Sequence, residues 1–384
     1  MDLQELRSHL PVTQGAIYMN SGWAGPTPLP VLHRIQEALK LEAQLGPASA
    51  PGVASTRKVM EEARQAVSTL VGAEVDEICL THSTREGVNI VIHGIAWKPD
   101  DEMVICDLEH PALTGPAEVL AQRHGVKVKR AVISPMAPKG DILREIKAQF
   151  SPRTRLLALS HVQFTCGLRM PIKEISRMAQ EAGVPFLVDG AQGAGHVEVK
   201  VADLGCDFYT ISGQKWLMGP VGTGALYIRK GQERMLEPAF TTNALEAART
   251  FNRSPVDRFS LASQSPGLMA GFAEAVGLVQ GIGMERVEQH VMALASSFRR
   301  SLANIKRCRI LSSQLPESAC GLVTVALEGW LPEELASALQ ETYHIVARTV
   351  HNPDGVRFSI ACFNTEQETA QVAEVLAKLA KERS

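Results

Sequence analysis

The sequence lacks the features that would direct its 384 residues to a membrane, to export or to a polyanion. No apolar run approaches the roughly 20 residues that cross a bilayer, and the N-terminal stretch MDLQELRSHL has no basic patch followed by an apolar segment. A net charge of -2 without a dense Lys/Arg run produces no field that would attract nucleic acid or anionic lipid. We therefore expect a cytoplasmic protein with a small-molecule partner, and neither nucleic acid nor membrane.

Paired cysteine motifs are also missing. The seven cysteines are an odd number, widely scattered and without a Cys-x-x-Cys pair. This spacing argues against a disulfide framework and against a dithiol redox motif. We predict that most of the cysteines are reduced core residues, and we predict no metal site.

What the chain does contain is a regular alternation of strand and helix patterns. From about residue 55, apolar runs of strand length alternate with segments of helical periodicity. This order predicts an α/β fold with a mainly parallel central sheet flanked by helices. The runs are 103–106, 128–133, 156–160, 185–188 and 208–211, and the helical segments include 57–71, 113–124 and 172–182.

The pattern changes near residue 275, where a long helix over 278–302 is followed by short strands and a last helix from about 366 to 381. The change predicts a large domain over 15–270 that holds the ligand site. A smaller α+β domain would be formed by 1–14 and 271–384. The Gly/Pro-rich stretch 45–52 is too irregular for a core element and predicts a mobile loop beside the site.

Candidate site residues follow the apolar runs, because ligands of parallel sheets bind at the carboxyl ends of the strands. Asp189 ends one run, and Lys215 comes just after the next, between glycines. A lysine amine can form a Schiff base with pyridoxal phosphate, and a carboxylate can keep the pyridine nitrogen protonated. Either residue alone would more often be a helix cap or part of a solvated turn. Together they favour a pyridoxal phosphate site.

The motifs FLVDGAQ (186–192), TISGQKW (210–216) and GPVGTGALYI (219–228) resemble those of the class V aminotransferase group of fold-type I pyridoxal-phosphate enzymes. The nearest relatives resemble cysteine desulfurases, cysteine/cystine C-S lyases and isopenicillin N epimerase. The likeness extends from about Tyr18 to Asn364. It implies the fold-type I transferase fold, an amino-acid substrate and a homodimer with its active site at the subunit interface.

The resemblance assigns catalytic roles to three residues. Lys215 corresponds to the Schiff-base lysine, and Asp189 to the partner of the ring nitrogen. His110, in DLEHP (107–111), corresponds to the imidazole that stacks on the cofactor ring and can transfer protons at the substrate carbon. A lone histidine would more often be structural. Gln192 corresponds to a residue near the ring hydroxyl.

The segment THSTREG (81–87) ends a strand and opens a helix, so its free backbone N–H groups and the helix dipole form an anion site. It resembles the family's phosphate loop, with Ser83 and Thr84 as ligands, while Arg85 could pair with phosphate or point to solvent. Gln214 replaces a histidine that is usual in relatives, and its amide can still donate to phosphate. The resemblance implies two further phosphate ligands. One is Ser212. The other is Ser263, which relatives donate from the neighbouring subunit, although it could instead be an ordinary loop serine.

Substrate-binding candidates come from both ends of the chain. The segment GVRFSIACFNT (355–365) resembles the family's carboxylate-binding strand, with Arg357 as a guanidinium that pairs a carboxylate through two parallel hydrogen bonds. Arg348 faces the same region in relatives, although a surface ion pair is an equal alternative. Weaker candidates lie in the segment YMNSGWAG (18–25): Asn20, Ser21 and Gly22.

The sequence departs from cysteine desulfurases in the segment RTVHNPDG (348–355), where those enzymes carry a nucleophilic cysteine and this chain has none. Persulfide transfer is therefore disfavoured. Outside this segment, Cys166 is the candidate for a thiol that could accept sulfur. An asparagine that contacts the ring hydroxyl in relatives is also missing, with Phe164 and Thr165 in its neighbourhood. We expect β-elimination from cysteine, cystine or a related S-substituted amino acid. Transamination, epimerisation and a non-catalytic cofactor-binding or regulatory protein stay open.

Overall fold

The computed structural model describes residues 2–240, 254–261 and 263–383. Its strands are, in chain order, β1 (Ile17–Tyr18), β2 (Ile78–Thr81), β3 (Glu102–Cys106), β4 (Lys127–Ala131), β5 (Thr154–Ser160), β6 (Phe186–Asp189), β7 (Phe208–Ser212), β8 (Gly224–Ile228), β9 (Cys308–Ile310), β10 (Leu322–Leu327), β11 (Ile345–Val346), β12 (Arg348–Val350) and β13 (Gly355–Ser359). The α-helices are α1 (Leu3–Ser8), α2 (Leu29–Leu45), α3 (Ala50–Val71), α4 (Thr84–Gly94), α5 (Pro111–His124), α6 (Lys139–Lys147), α7 (Ile172–Glu181), α8 (Val201–Leu204), α9 (Pro266–Ile282), α10 (Met284–Ala303), α11 (Pro332–Tyr343) and α12 (Glu366–Glu382).

A seven-stranded sheet forms the centre of the structure, with the strand order β2-β8-β7-β6-β5-β3-β4. Strand β8 runs antiparallel to both of its neighbours, and the pairs from β7 to β4 are parallel. The prediction of a mainly parallel sheet is therefore confirmed. The five apolar runs recognised in the sequence are the strands β3 to β7, with ends that differ by up to two residues.

Both faces of this sheet are covered by helices, because successive side chains of a strand point to opposite sides. In β3, Val104 packs in one core with residues of α3 and α9, whereas Met103 packs in another with residues of α4 and α5. Buried apolar residues on both faces explain why the central strands read as continuous hydrophobic runs rather than as alternating ones.

The C-terminal part of the chain forms a second, antiparallel sheet with the order β12-β13-β10-β9. It shares a core with α10, α11 and α12. Strand β1 pairs in parallel with β11, which brings the segment after residue 18 next to this sheet. The domain limits at 15–270, and at 1–14 with 271–384, stay a prediction.

Two sequence predictions are wrong. Residues 45–52 are not a loop: Leu45 ends α2, and the Ser49 side chain caps the amino end of α3, so that only 46–49 connect the two helices. The long helix over 278–302 is instead two helices, α9 and α10, bent by 75° at Gly283, whose φ of 93° cannot continue a helix. In the described residues no single helix meets the length and hydropathy expected of a membrane span, although this bent pair meets them jointly.

Candidate active site

A cavity of about 390 Å³ lies at the carboxyl ends of β5, β6 and β7. Many of the residues predicted from the sequence line it: Gly22, Ser83, Thr84, Arg85, His110, Asp189, Gln192, Ser212, Gln214, Lys215 and Arg357. Asp189 and Ser212 end strands of the central sheet, Arg357 lies in the C-terminal sheet, and the others lie in helix starts and connecting segments. Asp189 and Lys215 are selected from the sequence because they come after apolar runs, and the other residues are assigned from the family resemblance.

Lys215 and Asp189 occupy the centre of the cavity. Asp189 ends β6, and its Oδ1 accepts hydrogen bonds from the Ala191 N–H (2.9 Å) and the Thr210 hydroxyl (3.2 Å). These bonds fix the carboxylate at the cavity wall. Lys215 lies in the turn between β7 and β8, and its carbonyl would be only 2.1 Å from a Cβ at position 25, so Gly25 is required for this close approach.

Burial makes the Lys215 amine unusually reactive. Desolvation lowers its pKa to about 8, with further lowering by the nearby arginines and an opposing effect of the Asp189 carboxylate. A neutral amine is the nucleophile for an aldehyde and the base for a carbon acid. The lowered pKa makes this neutral form available near physiological pH.

His110 is held as a neutral imidazole. It caps the amino end of α5, where its Nδ1 accepts a hydrogen bond from the Ala112 N–H at 3.0 Å. Because Nδ1 accepts, the proton of the neutral ring must reside on Nε2. Burial and the Lys215 charge lower the pKa of His110 to about 4, so Nε2–H is a hydrogen-bond donor at neutral pH rather than a base.

The edge of the His110 ring also contacts Phe164, with ring centroids 4.6 Å apart and an interplanar angle of 79°. Phe164 occupies the neighbourhood in which relatives carry a polar asparagine, and its ring lines the cavity. This wall of the site is therefore apolar.

One end of the cavity is suited to an anion. Ser83 caps helix α4 by accepting a hydrogen bond from the Glu86 N–H, and the cap leaves the N–H groups of Thr84 and Arg85 in the first turn. Ser212 is the last residue of β7, and it lines the same cavity together with Gln214. Arg85 lines the cavity, but much of its side chain is exposed to solvent. Its position is therefore compatible with pairing to phosphate and with pointing to solvent.

Gln192 is fixed from two sides. Its Oε1 accepts from the Trp216 indole N–H at 2.8 Å, and its Nε2 donates to the Gly22 carbonyl at 2.8 Å. The Trp216 ring stacks on His196 with a centroid distance of 3.7 Å. The amide keeps its second N–H for a ligand, which agrees with the position near a ring hydroxyl expected from the sequence.

Arg357 is a fully buried cation without a carboxylate partner in the part of the chain that the structure describes. Its Nη1 donates to the Phe164 carbonyl at 2.6 Å, but Nε and Nη2 have no hydrogen-bond partner among the described residues. Burial lowers its pKa to about 9. A buried guanidinium with two free donors is costly unless a ligand supplies the acceptors. A carboxylate is the group that matches this fork.

A second arginine stands directly opposite the first. Arg348 in β12 and Arg357 in β13 are cross-strand partners, and both line the cavity. The Arg348 guanidinium lies over the Trp23 ring, 3.8 Å from its centroid, and no carboxylate pairs with it in the described ranges of the chain. The alternative of a surface ion pair is therefore not what the structure shows. Like charges placed opposite each other destabilise a sheet, so an anionic ligand between them would relieve the repulsion.

Some predicted residues do not line the cavity. Asn20 and Ser21 lie behind Gly22, where Asn20 Oδ1 and Ser21 Oγ are buried without partners in the described structure. Ser263 is exposed, has a φ of 66° and does not line the cavity of its own chain. Cys166 is fully buried away from the lining, and burial raises its pKa to about 12, so it is a core residue.

The residues present fit pyridoxal phosphate. The helix end at Thr84 matches the phosphate, Asp189 the ring nitrogen, and Lys215 the aldehyde. The unpaired Arg357 atoms then match the carboxylate of an amino acid. Sequence reasoning left Trp23, Ser160 and Val162 unmentioned as lining residues, because no spacing rule connects them with the motifs.

Comparison with known proteins identifies the family of the chain. The family model "Aminotransferase class-V" matches residues 17–372. A probable cysteine desulfurase of Methanothermobacter thermautotrophicus is 28% identical, with 99% of this chain and 98% of the relative covered. Isopenicillin N epimerase of Streptomyces clavuligerus is also 28% identical, with 99% of both chains covered.

Solved structures of the cystine C-S lyase C-DES are similar over almost the whole chain. Its complex with cysteine persulfide has a TM-score of 0.89 and 25% identity, covering 96% of this chain and 99% of the lyase. A variant with glycine covalently linked to its pyridoxal-phosphate cofactor has a TM-score of 0.90 and 25% identity, covering 97% and 98%.

Proposed function

Because the chain belongs to the aminotransferase class-V family and pyridoxal phosphate is its cofactor, we propose that it is a C-S lyase. It would cleave the Cβ–S bond of cystine, cysteine or a related S-substituted amino acid by β-elimination. The products would be pyruvate and ammonia, together with hydrogen sulfide from cysteine, cysteine persulfide from cystine or a thiol from another S-substituted amino acid. The observation that carries the proposal is the pair Arg348 and Arg357, two guanidinium groups on adjacent strands of one cavity.

Two guanidinium groups fit a substrate with two carboxylates. Arg357 is buried and has two free donors, so it binds the carboxylate next to the reacting carbon. Arg348 is only partly buried and lies over Trp23 toward the open side, where a second carboxylate would reach it. Cystine carries two such carboxylates joined through a disulfide. The structurally similar lyase C-DES acts on cystine, which supports this choice.

Pyridoxal phosphate, when bound, would supply an electron-accepting ring that makes the α proton of the amino acid more acidic. The residues of the chain then decide the outcome. Asp189 keeps a proton on the ring nitrogen, which strengthens the electron withdrawal. Lys215, with its pKa lowered to about 8, removes the α proton through Nζ. His110 covers the site as a neutral donor and, with the Phe164 ring, excludes water.

Sulfur leaves from the β carbon in this scheme without forming a bond to a protein thiol. The cavity-lining residues include no cysteine within the described part of the chain. Cys362, which follows Arg357 in the sequence, lines a separate groove beside α1 and α12, and burial raises its pKa to about 12. Elimination is the chemistry that such a lining supports, because persulfide transfer needs an exposed thiolate as acceptor.

Product analysis with cystine and with cysteine tests the proposal. We expect stoichiometric pyruvate and ammonia from cystine, together with a persulfide. Alanine as the main product would instead identify a desulfurase, and solvent deuterium at the α carbon without pyruvate would identify an epimerase. Formation of a new amino acid from an added keto acid would identify an aminotransferase. Lys215→Ala should abolish pyruvate formation.

Arg348→Met tests whether the substrate has a second carboxylate. The substitution removes the Arg348 guanidinium and leaves the buried guanidinium of Arg357 in place. We expect the KM for cystine to rise about fivefold and the KM for cysteine to stay within about twofold, because one exposed charge pair is worth roughly 1 kcal/mol. Equal effects on both substrates would remove the argument for a second carboxylate.

We also propose that the enzyme is a cytoplasmic homodimer with the active site at the subunit interface. In this arrangement the exposed Ser263 is donated to the phosphate of the other subunit. Sedimentation of the holoenzyme tests the dimer. If Ser263→Ala leaves the cofactor's dissociation constant unchanged, the cross-subunit role of the serine is wrong.

A further inference from the structure

Glu109 is a buried carboxylate that takes no part in the chemistry described above. It precedes His110, is 6% exposed and does not line the cavity. Burial raises its pKa. A buried acid beside an active site needs a set of partners, and its partners show what it does.

Within the described structure, the hydrogen-bond partners of Glu109 are neutral donors from two chain segments. Oε2 accepts from the Ser160 hydroxyl at 2.5 Å and from the Ser160 N–H at 3.0 Å. Oε1 accepts from the Gln163 amide at 3.0 Å and from the Cys106 thiol at 3.0 Å. Burial raises the pKa of Cys106 far above its ordinary value, so the thiol keeps its proton and donates. Glu109 therefore ties segment 106–110 to segment 160–164.

The second of these segments reaches the substrate side of the cavity. Phe164 follows Gln163 directly, its ring contacts the His110 ring, and its carbonyl accepts the Arg357 Nη1 proton at 2.6 Å. That carbonyl is the hydrogen-bond partner of the otherwise unpaired guanidinium in the described residues. The orientation of the Arg357 fork thus depends on where segment 160–164 is held.

We propose that Glu109 is a positioning residue, which holds segment 160–164 against the His110 segment and thereby orients the Arg357 guanidinium toward the substrate carboxylate. The proposal rests on the carboxylate-binding role of Arg357 in the proposed function. It does not depend on which reaction follows binding. A carboxylate suits this role because it accepts from several donors at once and donates to none.

Glu109→Gln tests the proposal with nearly the same side-chain shape. The amide has one acceptor oxygen, and its NH2 group would face donors from Ser160, Gln163 and Cys106, so some bonds must be lost. Gln163→Met is the second variant, since it removes one bond of the same connection and decides alone if Glu109→Gln does not fold. Glu102→Gln is the control, because Glu102 is a buried, hydrogen-bonded carboxylate at the other end of β3 and does not line the cavity.

Binding of L-alanine and of ethylamine to the holoenzyme is followed through the shift of the cofactor absorbance band. The two probes differ only in the carboxylate. We expect Glu109→Gln and Gln163→Met to weaken alanine binding about tenfold and ethylamine binding less than about twofold, because a displaced Arg357 guanidinium loses hydrogen bonds only to the probe that has a carboxylate. Glu102→Gln should change neither dissociation constant, and the pyridoxal-phosphate affinity should hold in all three variants.

Equal weakening of both probes, or unchanged alanine binding, would overturn the proposal. So would an alanine-specific loss in Glu102→Gln. Arg357→Lys tests the carboxylate-binding role of Arg357 separately from the role of Glu109. This substitution should also weaken the binding of alanine and not that of ethylamine. If Arg357→Lys leaves alanine binding intact, the carboxylate role of Arg357 fails and the role of Glu109 fails with it. If alanine binding is lost selectively but cystine gives no pyruvate, only the C-S lyase assignment fails.

Discussion

The lowered pKa of Lys215 leads to a quantitative prediction for the protein without its cofactor. Desolvation takes the pKa from its ordinary 10.5 to about 8. At pH 7, about 10% of such an amine is neutral, compared with about 0.03% of an ordinary lysine. Lys215 should therefore capture pyridoxal phosphate about 300-fold faster than its surface counterparts on this ground alone.

The assay mixes the apoprotein with pyridoxal phosphate at a series of pH values, quenches with borohydride and quantifies the labelled peptide. Below pH 8 the logarithm of the rate should rise with unit slope, and above it the rate should level off. A blocked lysine in solution serves as reference and corrects for titration of the aldehyde reagent. If the protein's rate keeps rising with unit slope up to pH 10.5, like the reference, the burial argument is refuted.

Two substitutions move the midpoint in opposite directions. Asp189 raises the pKa of Lys215, so Asp189→Asn should shift the midpoint to lower pH. Arg348 lowers the same pKa, so Arg348→Met should shift the midpoint upward. Because the folded-state pKa lies below the unfolded value, protonated Lys215 destabilises the fold. This penalty is complete below pH 8 and disappears as the pH rises to 10.5, so Lys215→Met should stabilise the apoprotein at neutral pH and lose that advantage at high pH.

Three further predictions concern the binding of the substrate carboxylate by Arg357 and the stability of the fold. Arg357→Lys should raise the KM for the amino-acid substrate about 100-fold, because one ammonium cannot replace two parallel hydrogen bonds; an unchanged KM in steady-state kinetics would contradict it. Gly22→Ala should raise KM without weakening cofactor binding, since its Cβ would lie 2.8 Å from Ser359 Oγ and 2.9 Å from Arg357 Nη2, and substrate titration checks this. The Thr365 side chain caps α12 by accepting a hydrogen bond from the Glu368 N–H. Thr365→Ala removes this cap and should lower the free energy of unfolding by about 1 kcal/mol, while the steady-state kinetics stay unchanged.

The sequence predicted the central sheet and its strand ends because burial on both faces leaves strong apolar runs. Asp189 and Lys215 could be recognised since Asp189 ends one such run and Lys215 lies three residues after the strand that contains the next. The break at Gly283 could not be recognised, because helical periodicity continues on both sides and a glycine within a helix is tolerated. The stretch 45–52 was misread for the opposite reason: its prolines and glycines suggest a loop, yet a proline in the first helical turn fits a helix start.

Contacts between distant segments were beyond the sequence. The pairing of Arg348 with Arg357 depends on the register of β12 and β13, and a shift by one residue would turn one of the two side chains away from the cavity. Phe164 lies in a segment without periodicity, and its contacts with His110 and Arg357 exist only because the sheets bring those residues together.

The charges of the cavity connect its architecture with its ligands. Arg85, Lys215, Arg348 and Arg357 line it, whereas Asp189 is the acidic residue among the described lining residues. Such an excess of positive charge is unfavourable in the empty protein, and burial depresses the pKa values of Lys215 and Arg357 accordingly. A phosphate at the α4 end and carboxylates at the β13 end restore the balance at the two places where the cations stand. The same excess disfavours ligands without negative charge, which agrees with the anionic pyridoxal phosphate as the cofactor.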